Sequence, residues 1–168
     1  MGWAMSWERF LQGLDDSAIG TSIREGGLLF PSIETVHVLA VTTVVGTIAI
    51  VDLRLLGYGS HRRSARRLIA ELLPITWVAF ALAAVSGALL FSSNATGYAA
   101  NLPFLAKMCV LLLAGANMAV FHATAYRRIA EWDDSLPPPT AVRVAGATSL
   151  ALWIGVVFLG RWIGFTVG

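Results

Sequence analysis

Apolar residues along this chain fall into four long blocks separated by short polar breaks. A membrane-spanning helix needs about 20 mostly apolar residues. The blocks predict four such helices, at about 31–57, 69–93, 101–125 and 141–166. Pro31 suits a first helical turn, where its missing N–H costs nothing. Short breaks between long helices predict an all-α, up-down-up-down four-helix transmembrane bundle over 31–168.

The first thirty residues follow another rhythm. Trp3, Trp7, Phe10, Leu11 and Leu14 recur at helical spacing, with Glu8, Arg9 and Gln12 between them. That pattern predicts an amphipathic helix lying at the membrane interface, its tryptophans at headgroup level. It is a simple anchor, or it is a lid over a site, with Gly20, Gly26 and Gly27 allowing the segment to fold back.

Composition agrees with lipid as the solvent: 57% of the residues are hydrophobic and 13% charged, against about 25% charged in soluble domains. The net charge of +2 does not mark a nucleic-acid binder, because the basic residues sit in the breaks between apolar blocks. Arg62, Arg63, Arg66 and Arg67 fill the first break, and Arg127 and Arg128 begin the third. Lys and Arg near helix ends mark the cytoplasmic side. Both loops would therefore be inside and both termini outside, in a bacterial inner membrane with the termini on the periplasmic face. Cys109 is the only cysteine; in an apolar run it is expected to pack. Gly46, Gly87, Gly115, Gly146 and Gly155 are expected to allow close helix approach. Gly160 and Gly164 form a GxxxG pattern that leaves a homodimer open.

Ionisable residues inside the apolar blocks are the candidates for chemistry. Counting along the helices at about 1.5 Å per residue puts His37 and Lys107 roughly 9 Å, and Arg161 roughly 8 Å, below the outer face. Glu34 lies one turn above His37, and Ser86 and Gly87 fall at a similar depth. These residues are expected to converge, with Gly87 leaving room. A neutral imidazole can ligate haem iron or a transition metal. Lys107 and Arg161 would pair with carboxylates, such as haem propionates, and Glu34 would orient His37 or take its proton. The alternative is an ion-pair network that only fixes the helices. A secondary cluster, Asp52, Arg54, Glu71 and His122, is expected near the inner face as ion pairs at helix ends. Asn117 is expected to bond across helices. His37 and His122 differ by about 22 Å in depth, so they cannot share one haem. Three histidines are too few for two bis-histidine haems.

Several runs carry a resemblance: Phe30-Pro31, Glu34, His37-Val38-Leu39, Gly46 and Asp52-Leu53-Arg54-Leu55-Leu56-Gly57, with Gly87-x-x-Leu90-Phe91 and Asn101-x-x-Phe104-x-x-Lys107. Together they resemble an uncharacterised group of bacterial four-helix membrane proteins. More distantly, the layout is similar to HemJ-type protoporphyrinogen oxidases and to the membrane domain of copper resistance protein D. The HemJ pattern has a histidine opening the first helix, an Arg-Leu pair closing it and a lysine opening the third. Here those positions are His37, Arg54-Leu55 and Lys107. The resemblance implies haem b, or copper handling across the inner membrane. The expectation is a haem b- or porphyrin-binding membrane protein, with electron transfer to a periplasmic or membrane redox partner. Copper or other metal handling is the first alternative, and a non-catalytic accessory subunit of a membrane complex the second. Whether the chain is an enzyme stays open; if it is one, it would be a membrane oxidoreductase.

Overall fold

A computed structural model describes residues 2–58, 64–133 and 138–167, and the side chains from residue 5 onward. All regular structure among the described residues is helical. Its elements are α1 (Gly2–Asp15), α2 (Ala18–Glu25), α3 (Leu29–Leu55), α4 (Ala65–Ser92), α5 (Ala95–Ala100), α6 (Leu102–Ala123), α7 (Ile129–Trp132) and α8 (Thr140–Thr166). A 3-10 turn, Tyr126–Arg128, joins α6 to α7. Four helices are long and apolar enough to cross a membrane: α3, α4, α8, and α6 with its extension to Trp132.

Helix ends follow local chemistry. Gly57 takes a φ of +90°, which only glycine adopts without strain. The Tyr58 amide can then reach back to the Leu53 carbonyl at 2.9 Å and close α3. The Ser64 hydroxyl accepts from the Arg67 amide at 3.2 Å and starts α4. Asn101 starts α6 by accepting from the Phe104 amide at 3.0 Å, while its Nδ2 donates to Thr166 Oγ1 at 2.9 Å. One side chain thus caps one helix and ties it to the end of another.

The second spanning helix begins four residues earlier than the hydropathy pattern predicts. Arg66 and Arg67 therefore lie in its first turn rather than in a loop, and Pro74 lies inside the helix. Charged residues are tolerated there because capping decides where a helix starts, while hydropathy reports only where the apolar stretch starts. Of the loop residues, His61, Arg62, Arg63, Asp134 and Pro137 lie outside the described residues, as does the side chain of Trp3.

Helix α3 packs against α4 and α8, and α8 packs against α6. Gly146 makes the α3–α8 approach possible: a Cβ there would lie 3.0 Å from Leu55 Cβ and 3.1 Å from the Asp52 carbonyl oxygen. Gly87 plays the same part between α4 and α3. Gly46 and Gly115, by contrast, have nothing within 4 Å of a Cβ position, so they do not mediate helix contact. Cys109 is also exposed on the outside of the bundle rather than packed within it. Asn117 does bond across helices, its Nδ2 donating to the Ala145 carbonyl at 3.1 Å.

The two ends of the bundle are built differently. At the loop end, Leu55, Ala65, Ile69, Phe121, Ile129, Trp132 and Val142 form a buried apolar cluster. At the other end, α1 rests on α5 and α2 on the ends of α4 and α3, forming a roof. The Gly20 Cβ position falls on the Ser92 carbonyl oxygen, so glycine is needed for α2 to sit this close. Helix α1 is the amphipathic helix the sequence predicts: Leu11 is buried beneath it, and Met5, Trp7 and Phe10 are exposed.

Candidate functional site beneath the roof

His37 is the centre of the polar residues under the roof. It points from α3 toward α4, where its Nδ1 lies 2.9 Å from the Ala83 carbonyl oxygen and 3.0 Å from Ser86 Oγ. The carbonyl can only accept. The Ser86 hydroxyl already donates its proton to the Leu82 carbonyl at 2.7 Å, so toward the ring its oxygen is an acceptor too. Both contacts require a proton on Nδ1. In the neutral imidazole that leaves Nε2 as a bare lone pair, the form in which histidine ligates metals. Among the described residues nothing hydrogen-bonds to Nε2.

Gly87 seats this ring. A Cβ at that position would lie 3.0 Å from His37 Cε1 and 3.4 Å from Nδ1, too close for any side chain without moving the imidazole. The spacing Ala83, Ser86, Gly87 puts the carbonyl, the hydroxyl and the gap on one face of α4, three and four residues apart.

Lys107 and Glu34 are both within electrostatic reach of the ring. Lys107 is half-buried on α6. Its Nζ stands 5.2 Å over the Phe104 ring, and its stem passes 4.0 Å from the Gly160 Cβ position on α8. Phe104 in turn stacks on Phe91 of α4 at 5.5 Å and meets Tyr98 of α5 at 5.6 Å. These three rings make an aromatic wall joining α4, α5 and α6. Burial, and then the charge of Glu34, push the Tyr98 phenol above its ordinary pKa, so it stays a neutral hydroxyl.

Arg161 does not join this group. It is exposed on α8, and its guanidinium lies 4.7 Å over the ring of Phe165, one turn nearer the helix end. Long cationic side chains reach for the interface in this way. The tertiary structure therefore brings together His37, Glu34, Lys107 and Gly87 from the expected set and leaves Arg161 outside.

The loop-end residues Asp52, Arg54, Glu71 and His122 do not form one cluster. Arg54 Nη2 donates to the Asp133 carbonyl at 2.9 Å and lies 3.8 Å from its carboxylate. Glu71 pairs with Arg67 one turn earlier at 2.8 Å on the surface. His122 Nδ1 turns to the Met118 carbonyl of its own helix at 2.9 Å. Asp52 is buried against α8 with Ser149 within reach. The four residues share a depth but face different ways around their helices, which depth counting does not register.

The roof is latched by residues that carried no signal of their own. The Asp15 carboxylate accepts from the Ala95 and Thr96 amides, the latter at 3.2 Å, and from the Thr96 hydroxyl at 2.6 Å. It thereby caps α5 from eighty residues away. Arg24 Nη1 donates to the carbonyls of Asp15 and Ser93, each at 3.1 Å. Partial burial would raise the Asp15 pKa, but these hydrogen bonds and the Arg24 charge outweigh it and hold the carboxyl below its ordinary value. Only an acidic residue closing an amphipathic helix hinted at this role.

Among the described residues, no three His, Cys, Asp or Glu side chains come together in a way that could hold a metal ion. A metal held at His37 would have to take its remaining ligands from elsewhere. Comparison with known proteins gives one result: residues 15–166 match the model of DUF6644, a family of unknown function, and the chain belongs to that family. No curated protein and no solved structure matches it.

Proposed function

We propose, with membership of DUF6644 as the premise, that this chain binds haem b or a related porphyrin under the roof, with His37 Nε2 as an axial ligand. The observation that carries this reading is the tautomer. Two acceptors on α4 fix the proton on Nδ1 and leave Nε2 as an oriented base. The donor set fits a porphyrin better than a bare metal ion. A porphyrin brings four nitrogens of its own, so one imidazole is enough, whereas a copper or zinc site would need further protein ligands nearby. Lys107 would pair with a propionate, and its stacking over Phe104 presets its direction. Glu34 and Lys107 place opposite charges near the ring and tune its basicity in opposite senses. Bound haem b would supply a one-electron iron couple.

The proposed setting is a bacterial inner membrane, with an up-down-up-down bundle and the roofed end outside. The arginines at the loop end support this orientation. A membrane or periplasmic redox protein would be the partner.

The test is an absorption spectrum of the purified protein before and after haem addition. A Soret band that is lost in His37→Ala and retained in His122→Ala is the expected result. A protein that takes up no haem would overturn the reading and leave the accessory-subunit alternative.

A further inference from the structure

Asp52, like His37, keeps unused bonding capacity inside an apolar helix. It is 4% exposed, and its Oδ2 is buried with no hydrogen-bond partner among the described residues. It sits at an α3–α8 contact, its main-chain carbonyl oxygen 3.1 Å from the Gly146 Cβ position. From α8, the Ser149 hydroxyl is within reach of the carboxyl. The charged and titratable groups around it are engaged elsewhere. Arg54, two residues along on α3, is directed at Asp133. Arg143 is exposed in the first turn of α8. Glu71 of α4 is exposed and holds Arg67, and His122 of α6 bonds to its own backbone. The ion pairs among the described residues do not include Asp52.

A carboxylate held in a dry helix contact with no cation and one empty oxygen is far costlier than the same group as a neutral acid. The neutral acid carries no charge to desolvate, and the Ser149 hydroxyl within reach can accept its proton. Asp52 lies fifteen residues from His37 on the same helix, which is roughly 22 Å, so it belongs to neither the imidazole site nor the roof. It lies three residues from the end of α3, close to water at the loop end.

We propose that Asp52 is an intramembrane proton-binding site: a carboxylic acid at the α3–α8 contact that exchanges its proton with water at the loop end. The exchange is simple in its chemistry. The O–H proton passes to a water or buffer base and leaves a carboxylate; its return restores the acid; no other bond changes. Charging the contact works against the close approach at Gly146, so protonation and α3–α8 packing are linked. This inference is independent of the haem reading, because it concerns different residues and can be tested without haem.

The experiment compares wild type with Asp52→Asn, in detergent or in lipid discs, from mildly acidic to alkaline pH. Infrared difference spectra at neutral pH should show the carbonyl stretch of a protonated carboxyl in the wild type and its loss in the variant. The sign of the stability effect follows from proton linkage. Deprotonation puts an unpaired charge into a buried helix contact, so raising the pH should remove stability from the wild type. Asn, shaped like the neutral acid, should leave the melting midpoint close to wild type at acidic pH and several degrees above it at alkaline pH. Identical infrared spectra would overturn the proposal. So would an Asp52→Asn protein that fails to fold or melts several degrees lower at every pH, because a required negative charge would then be the explanation.

Discussion

At both ends of the bundle, an aspartate carboxylate accepts from the first two N–H groups of a helix elsewhere in the chain, while an arginine donates to that aspartate's own carbonyl. At the roofed end these are Asp15, Ala95, Thr96 and Arg24. At the loop end they are Asp133, Ala65, Arg66 and Arg54. The local chemistry is the same and the surroundings are not. Arg54 and Asp133 are largely enclosed, beside an apolar cluster that includes Trp132 and Phe121. Asp15 and Arg24 are far more open to solvent. A charged latch shut away from water holds a structure together, because breaking it strands buried charge. The same latch in water can open. The latch at the loop end therefore anchors the fold, and the latch at the roofed end is the one that can open.

The sharpest way to break this contrast is at Asp133. Replacing it with Ala removes the α4 cap and the enclosed carboxylate 3.8 Å from Arg54, while the main-chain carbonyl that accepts from Arg54 stays. A loss of about 3 kcal/mol of stability is expected, read as a large fall in melting midpoint. A loss no greater than that of Asp15→Ala would remove the distinction between anchor and latch.

Gly87→Ala comes next and acts on the site rather than the frame. The added Cβ would lie 3.0 Å from His37 Cε1, and overpacking of this kind costs about 1–3 kcal/mol. The ring must shift by a few tenths of an ångström to relieve it, which disturbs its contacts with Ala83 and Ser86. Haem affinity should fall by more than tenfold in a spectroscopic titration, while helical content stays unchanged by circular dichroism. Unchanged affinity would mean that the seated ring is not the ligand.

Asp15→Ala should cost about 1 kcal/mol, the usual value of a helix cap. Its clearer signature is local: hydrogen exchange should rise in α1, α2 and α5 and stay unchanged in α7. The wild-type latch has its own pH dependence. Because the folded-state carboxyl is held below its ordinary value, its contribution is complete at neutral pH. It begins to fade below about pH 4 and is lost as the pH falls through the folded-state value. Rapid exchange in α5 at neutral pH in the wild type would contradict a closed roof. The smallest effect is expected at Glu71→Ala, an exposed pair one turn from Arg67, at about 0.5 kcal/mol or less.

Much of this frame was legible in the chain. The four spans follow from unbroken apolar blocks, because a spanning helix must carry its own backbone hydrogen bonds and an apolar surface over its whole length. The amphipathic α1 follows from its periodicity. Shared depth was legible too: His37, Lys107 and Gly87 meet because rise per residue converts position into height. Rotation about each helix was less so. Arg161 has the right height, yet it turns away along its own helix to Phe165. Asp52, Arg54, Glu71 and His122 have similar heights and face four directions.

The sequence by itself determined that this chain has four helices fit for lipid, a polar first segment, and ionisable groups at two depths. Hydropathy and helical rise are properties of consecutive residues, and they survive in any arrangement of the helices. Only the tertiary structure decided which groups are left with unused bonding capacity. His37 Nε2 is free because Ala83 and Ser86 of another helix take Nδ1. Asp52 Oδ2 is buried and empty, in the residue whose main chain meets α8 at Gly146. Whether a polar atom is satisfied depends on neighbours distant in sequence, so the distinction between a site and a lock appears only once the helices are packed.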